Sequence, residues 1–82
     1  MRAYKGTFLK ADGSKRAMTY AELRDLPSDF LKNKVRGTGR LPKQTPGHEL
    51  VWDLEKKAFR IFNHSTIHGQ LSIIEYDENQ LS

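Results

Sequence analysis

The stretch HELVWDLEKKAFRIFNHSTIHG, residues 48–69, contains the only tryptophan, two of the four phenylalanines and all three histidines of the chain. In its first half Leu50, Trp52 and Leu54 alternate with side chains of the opposite face, which predicts a β-strand. The two lysines that follow predict a turn, and residues 58–65 predict the returning strand. Because Trp52 shares its face with two leucines, we expect it in the core rather than exposed as a stacking platform.

The beginning of the chain predicts another hairpin. The stretches YKGTFLK (4–10) and KRAMTY (15–20) flank an Asp-Gly pair at 12–13, and glycine accommodates the positive φ that tight hairpin turns require. Alternation places three residues of the first stretch on one face: Tyr4, Gly6 and Phe8. A glycine inside a strand indicates a bulge or a sharp bend, as a small barrel needs.

Two short helical segments are predicted between the hairpins. Thr19 and Glu22 have the spacing of a capping box for a helix over 21–26, and Ser28 is a suitable cap for a second helical turn. The apolar residues expected to close one end of the core are Leu23, Leu26 and Phe30.

The remaining segments complete a mainly β domain. Residues 69–76 (GQLSIIEY) predict a fifth strand, and the acidic tail 77–82 is expected to be frayed. The glycine- and proline-containing segment 32–47 is expected to be a long basic loop. The sequence therefore predicts a single domain over 1–82, a small five-stranded antiparallel SH3-like or Sm-like barrel with a short helical insert.

Composition limits the classes of function. The chain has 82 residues, no cysteine and a net charge of +4, so it offers one core, no disulfide framework and no thiolate metal site. It contains no apolar run of membrane-spanning length and no apolar signal segment at its start. We therefore expect a soluble, cytoplasmic protein without a membrane partner. The moderate positive charge favours a polyanionic or acidic partner.

Two stretches resemble the WYL-like family of small Sm/SH3-like barrels. VWDLEKKAFRIFNHSTI (51–67) has its Trp-Asp strand, charged turn and aromatic-Arg-x-Phe strand, and GTFLKADGSKRAM (6–18) is similar to its first hairpin. The resemblance covers residues 5–20 and 48–67. It implies a stand-alone barrel of tailed phages, located in the host cytoplasm. It also implies ligand binding by Arg60, while Asn63 stands where the family often has a second arginine.

A basic segment is the principal candidate for a binding site. No acidic residue lies between Asp29 and Glu49, and a one-signed run of this length suits contact with phosphates. Arg60 and Phe62 share one face of the fourth predicted strand, where Phe62 is the candidate for an exposed ring. The predicted binding residues are Lys32, Lys34, Arg36, Arg40, Lys43, Arg60 and Phe62.

Three interpretations of this binding surface remain open. The first is association with nucleic acid, either DNA or RNA. The second is an inhibitor that binds an acidic host protein, such as a component of transcription or defence. The third is a subunit of a ring or dimer that assembles through its edge strands.

Catalytic, metal and cofactor roles find little support. His64 and His68 are four residues apart, but the segment between them resembles a turn, and a zinc site requires three or four ligands. Ser65 is adjacent to His64, and neighbouring side chains on a strand point in opposite directions. The sequence therefore predicts a protein that is not an enzyme and has no catalytic residues, metal or cofactor.

Overall fold

The computed structural model describes residues 1–35 and 46–81, which form five strands, one α-helix and three 3₁₀ turns. The strands are β1 (Arg2–Leu9), β2 (Lys15–Glu22), β3 (His48–Asp53), β4 (Ala58–Asn63) and β5 (Ser72–Glu75). The helix is α1 (Ser28–Val35), and the 3₁₀ turns are Leu23–Asp25, His64–Thr66 and Glu78–Gln80.

The strands form one antiparallel sheet in the order β4-β3-β2-β1-β5. Only the end of β2, Tyr20–Glu22, pairs with β3, while β1 pairs with most of β2 on one side and with β5 on the other. An isolated bridge joins Phe8 to Ile67. The predicted mainly β, five-stranded antiparallel fold is confirmed. Within the described ranges, β4 and β5 are the two edges of the sheet, and backbone pairing does not close it into a barrel.

The first hairpin turns where the sequence predicts. Gly13 has a φ of 86°, and its N–H donates to the carbonyl of Lys10 at 2.9 Å. The Asp12 carboxylate accepts hydrogen bonds from the N–H and hydroxyl of Ser14. This turn sets the register of β1 against β2, which aligns Gly6 with Met18 and Phe8 with Arg16.

One face of the sheet buries what we term the aromatic core: Tyr4, Phe8, Met18, Tyr20, Val51 and Phe62. The ring centroid of Phe62 lies 4.8 Å from that of Phe8 and 4.9 Å from that of Tyr20. Phe62 is 0% exposed, so the expectation that its ring faces the solvent is wrong. The sheet curls enough to bring β1 and β2 over β4, and strand alternation alone does not reveal this long-range curvature.

The opposite face buries a second cluster, the helix-side core: Ala3, Ala21, Leu26, Trp52, Leu54 and Leu81. The ring of Trp52 makes edge contacts with Phe30 at 5.2 Å and with Phe59 at 4.9 Å. Trp52 is therefore a core residue, as predicted. Leu23 and Phe30 pack against the same cluster, which confirms that this segment covers the core.

The helix predicted over 21–26 is wrong in its first half. Ala21 pairs with Trp52 and Glu22 with Val51, so β2 continues to Glu22. A 3₁₀ turn follows, and the N–H of Leu26 donates to the carbonyl of Leu23. Tertiary pairing with β3 outweighs the local capping signal.

The acidic tail is not frayed through its length, which corrects the expectation for 77–82. The Asp77 carboxylate accepts from the N–H of Asn79, which caps the 3₁₀ turn Glu78–Gln80. Leu81 is 3% exposed in the helix-side core. The ammonium group of Lys57 also donates to the carbonyl of Gln80 at 2.6 Å. Burial of one leucine side chain favours docking of the tail.

Candidate nucleic-acid interface

An open cleft of about 570 Å³ lies between the end of the β1–β2 hairpin and strand β4. Its floor includes the apolar side chains of Phe8, Met18 and Ile61. Its charged lining residues are Lys10, Arg16 and Arg60, and among the described residues no acidic side chain lines it. We refer to this feature as the basic cleft. Its volume falls within the range of ordinary ligand pockets in proteins.

The register of the sheet explains how the three basic side chains meet. The tight turn at Asp12-Gly13 brings Lys10 near the start of β2, where Arg16 pairs with Phe8. Arg60 lies on β4 opposite Val51, and the curl of the sheet brings β4 towards β1. Within residues 1–35 and 46–81, none of these three cations takes part in a salt bridge, so their charge is available to a ligand.

The predicted site residues do not all meet at this cleft. Arg60 lines it, whereas Phe62 is in the aromatic core. Lys32 and Lys34 are exposed on α1 and are not among the lining residues. The ammonium of Lys34 instead lies 5.4 Å from the ring centroid of Phe30. The predicted contacts Arg36, Arg40 and Lys43 lie outside the described residues.

Lys10 and Arg16 were not among the predicted binding residues. The sequence did contain a signal, because both lie close to a strongly predicted hairpin turn, which places them at the same end of the molecule. What the sequence lacked was the position of β4 across the cleft. His48 also lines the cleft.

A second group of polar side chains comes from the end of β2 and the turn after it, from β3, and from the 3₁₀ turn after β4. His64 Nε2 is 2.8 Å from Glu49 Oε1, and Arg24 Nη2 is 3.0 Å from Glu22 Oε1. The carboxyl groups of Glu22 and Glu49 also act on each other's pKa. We term these four residues the carboxyl–histidine cluster. The sequence did not reveal it, because Glu22 and Glu49 are 27 positions apart.

The two carboxyl groups of this cluster differ in their proton affinity. Burial raises the pKa of Glu49, and its hydrogen bond with Glu22 acts in the same direction. Burial also opposes ionisation of Glu22, but hydrogen bonds with Glu49, Tyr4 and Arg24 outweigh it and lower the pKa of Glu22. As the pH rises, Glu22 therefore loses its proton and becomes negatively charged before Glu49 does.

Metal binding finds no geometric support in the part of the chain that the structure describes. Within it, no group of three or more histidine, aspartate or glutamate side chains is placed to hold a metal ion. His64 is engaged with Glu49, and His68 is exposed.

Comparison of the chain with models of protein families, with curated proteins and with solved structures gave no match. In the two described ranges, no helix combines the length and apolar character needed to span a membrane.

Proposed function

We propose that this chain is a small phage-type accessory protein that binds nucleic acid through the basic cleft. The observation that carries the proposal is the convergence of Lys10, Arg16 and Arg60 on one concave surface, where none of the described lining residues is acidic. Cations so arranged contact phosphate oxygens and release condensed counterions from the nucleic acid, which makes affinity fall steeply as salt concentration rises.

The phage-type and regulatory parts of the proposal rest on the resemblance of residues 5–20 and 48–67 to WYL-like barrels. The resemblance implies ligand binding by Arg60, and Arg60 is one of the three cations that line the cleft. Arg36, Arg40 and Lys43 remain predicted phosphate contacts. Lys32 and Lys34 are exposed on α1, where they are accessible to a long polyanion.

The proposal is tested by fluorescence anisotropy with labelled single- and double-stranded oligonucleotides at about 50 and about 200 mM salt. The Arg16→Gln/Arg60→Gln variant removes two cleft charges, and a Lys5→Gln/Lys56→Gln variant removes two exposed charges that do not line the cleft. We expect the cleft variant to lose about tenfold or more in affinity and to show a shallower salt dependence than the control. Equal losses in the two variants would contradict the cleft as the site.

A second candidate function is inhibition of a host protein by direct contact. Ile61, at 40% exposure, gives the cleft an accessible apolar side chain beside its cations, and protein interfaces commonly combine apolar anchors with arginine. An Ile61→Ser variant separates the two functions. It would weaken a protein complex strongly, whereas binding to nucleic acid would depend mainly on Arg16 and Arg60.

A further inference from the structure

Asn63 lies at the end of β4, in the wall of the basic cleft. Its cross-strand partner is His48 of β3, and both residues line the cleft. Side chains that are directly opposite each other on antiparallel strands project from the same face of the sheet. The side chains of Asn63 and His48 therefore lie next to each other on the cleft side of the β3–β4 hairpin.

One half of the Asn63 amide is already engaged within the protein. Its Oδ1 atom accepts a hydrogen bond from the N–H of Ser65 at 2.9 Å, which caps the 3₁₀ turn His64–Thr66. Because the amide is planar, this bond also fixes the direction of its Nδ2 group, which can only donate. Within residues 1–35 and 46–81, Nδ2 has no hydrogen-bond partner. Asn63 therefore offers a ligand a donor that the fold holds in position.

The capped turn is bound to the strand that leads to the cations of the cleft. The Thr66 hydroxyl donates to the carbonyl of Leu9 at 2.8 Å, and an isolated bridge joins Ile67 to Phe8. Leu9 directly precedes Lys10, and both residues line the cleft. The amide donor and the phosphate-binding charges are therefore connected through backbone contacts and belong to one concave surface.

The rest of the lining favours a ligand that has an apolar planar part as well as a phosphate. The floor contains Phe8, Met18 and Ile61, of which Ile61 is the most accessible at 40% exposure. The bases of a duplex stay stacked on one another, so a duplex cannot lay the face of a base on this floor. An unpaired nucleotide can, and sequence-selective recognition of single strands uses the faces and edges of unstacked bases.

We propose that the basic cleft takes an unpaired nucleotide of a single-stranded nucleic acid, and that Asn63 determines base preference by donating from Nδ2 to a carbonyl oxygen of the base. This inference rests on the proposed function, and it adds the class of ligand and the base preference of the same site.

The engaged Oδ1 atom determines which bases are favoured. An asparagine with a free amide recognises adenine by two hydrogen bonds, since it accepts from N6 and donates to N7. Asn63 has its oxygen bonded to Ser65, so it supplies only the donating half of that pair. Thymine, uracil, guanine and cytosine each carry a carbonyl oxygen that accepts such a bond, whereas adenine carries none. We therefore expect the cleft to favour thymine over adenine.

The first test compares labelled single strands of about 16 nucleotides made of thymidine, of deoxyadenosine or of abasic units with the same phosphates. Asn63→Ser removes the amide donor, while the serine oxygen can still cap the 3₁₀ turn. The preference for the thymidine strand over the deoxyadenosine strand should fall about three- to tenfold in this variant, the usual effect of one hydrogen bond. Asn79→Ser is the matched control, because Asn79 is exposed and does not line the cleft; it should retain the original preference.

The abasic strand separates recognition of the base from contact with phosphates. It keeps the phosphates that Arg16 and Arg60 contact, so the Arg16→Gln/Arg60→Gln variant should bind all three strands more weakly. Asn63→Ser should affect the abasic strand much less than the thymidine strand. Comparing the same strands between variants also cancels any difference in stiffness between the strands themselves.

A second measurement uses the unmodified protein and stays informative if the serine variant does not fold. The side-chain amide resonances of Asn63 in ¹⁵N-labelled protein should shift on addition of the thymidine strand. With the abasic strand they should stay close to their original positions. Equal shifts with the two strands would show that this amide does not contact the base.

The outcomes distinguish this inference from the function on which it rests. A preference for thymidine that falls in Asn63→Ser and persists in Asn79→Ser would support it. An unchanged preference in Asn63→Ser, or tighter binding of a duplex than of the thymidine strand, would overturn the inference and leave the nucleic-acid function intact. Absence of binding to every strand and to the duplex would overturn the proposed function.

Discussion

Gly6 of β1 lies against the ring of Phe62 of β4, so closely that a Cβ atom on Gly6 would come within 3.1 Å of Phe62 Cζ. β1 and β4 are not neighbours in the sheet, because β2 and β3 lie between them. Their contact therefore shows that the sheet folds over the aromatic core. The absence of a side chain at Gly6 makes this close approach possible.

Substitution of Gly6 by alanine should destabilise the protein by about 1–3 kcal/mol, the ordinary cost of overpacking a core. The added methyl group would meet Phe62 and also the end of the Leu71 side chain, at 2.6 Å from its Cδ1 atom. Urea denaturation measures the loss. Because the smaller leucine makes room for the added methyl group, the Gly6→Ala/Phe62→Leu double variant should lose less stability than the sum of the two single losses. A loss in the double variant equal to that sum would contradict the proposed contact.

Substitution of Leu81 by alanine should lower the free energy of unfolding by about 2 kcal/mol, the lower end for a buried leucine. The reason is that Leu81 belongs to the helix-side core with Trp52 and Leu26. Asn79→Ala is the matched control, because its side chain is exposed in the same 3₁₀ turn. Thermal unfolding followed by circular dichroism compares the two variants. Equal unfolding temperatures would show that the tail does not dock.

Asp53→Ala should destabilise the turn between β3 and β4 by about 1–3 kcal/mol, because buried acceptors of this kind satisfy turn N–H groups. The Asp53 Oδ1 atom accepts from the N–H groups of Glu55 and Lys56 at 2.9 and 3.0 Å. Asp53→Asn retains an oxygen acceptor and should cost much less. Denaturant unfolding measures the free energy of unfolding of both variants. An Asp53→Asn protein no more stable than the Asp53→Ala protein would contradict this role.

The pH dependence of stability should reflect the opposite shifts of the two glutamates. Since the pKa of Glu22 is lowered, its stabilising contribution is present above the ordinary value of 4.5 and is lost as pH falls towards its folded value. Since the pKa of Glu49 is raised, its contribution is present below 4.5 and is lost as pH rises through its folded value.

A Glu49→Gln variant isolates the second contribution, because glutamine remains neutral. As pH rises from 4.5, the ordinary pKa of a glutamate, the unfolding temperature of this variant should increase relative to that of the unmodified protein. Glu55→Gln is the control, since Glu55 is exposed. If the two variants show the same pH profile relative to the unmodified protein, Glu49 does not hold its proton more tightly in the folded state.

The sequence predicted those features that local signals determine. The alternation of Tyr4, Gly6 and Phe8 correctly placed one face of β1 in a core, and Asp12-Gly13 correctly placed the hairpin turn. Trp52 was assigned to the core because Leu50 and Leu54 share its face. In each case a period of two residues or a turn dipeptide contains the required information.

Features that depend on distant segments were not predictable in the same way. The burial of Phe62 follows from the curvature of the whole sheet, and the docking of Leu81 follows from a space left in the helix-side core. Likewise, Arg60 was predicted as a binding residue from its strand and from the family resemblance, but its position near Lys10 and Arg16 requires the three-dimensional path of β4. The influence of Glu22 and Glu49 on each other's pKa depends on the same tertiary arrangement.

The most direct test of the basic cleft is an amide chemical-shift titration of the ¹⁵N-labelled protein with an unlabelled single-stranded oligonucleotide. We predict the largest shifts at Lys10, Arg16, Arg60 and Ile61, with little change near the contact between Lys57 and Gln80. Shifts centred on that contact, or no shifts at low salt, would contradict the proposal that the cleft is a nucleic-acid interface.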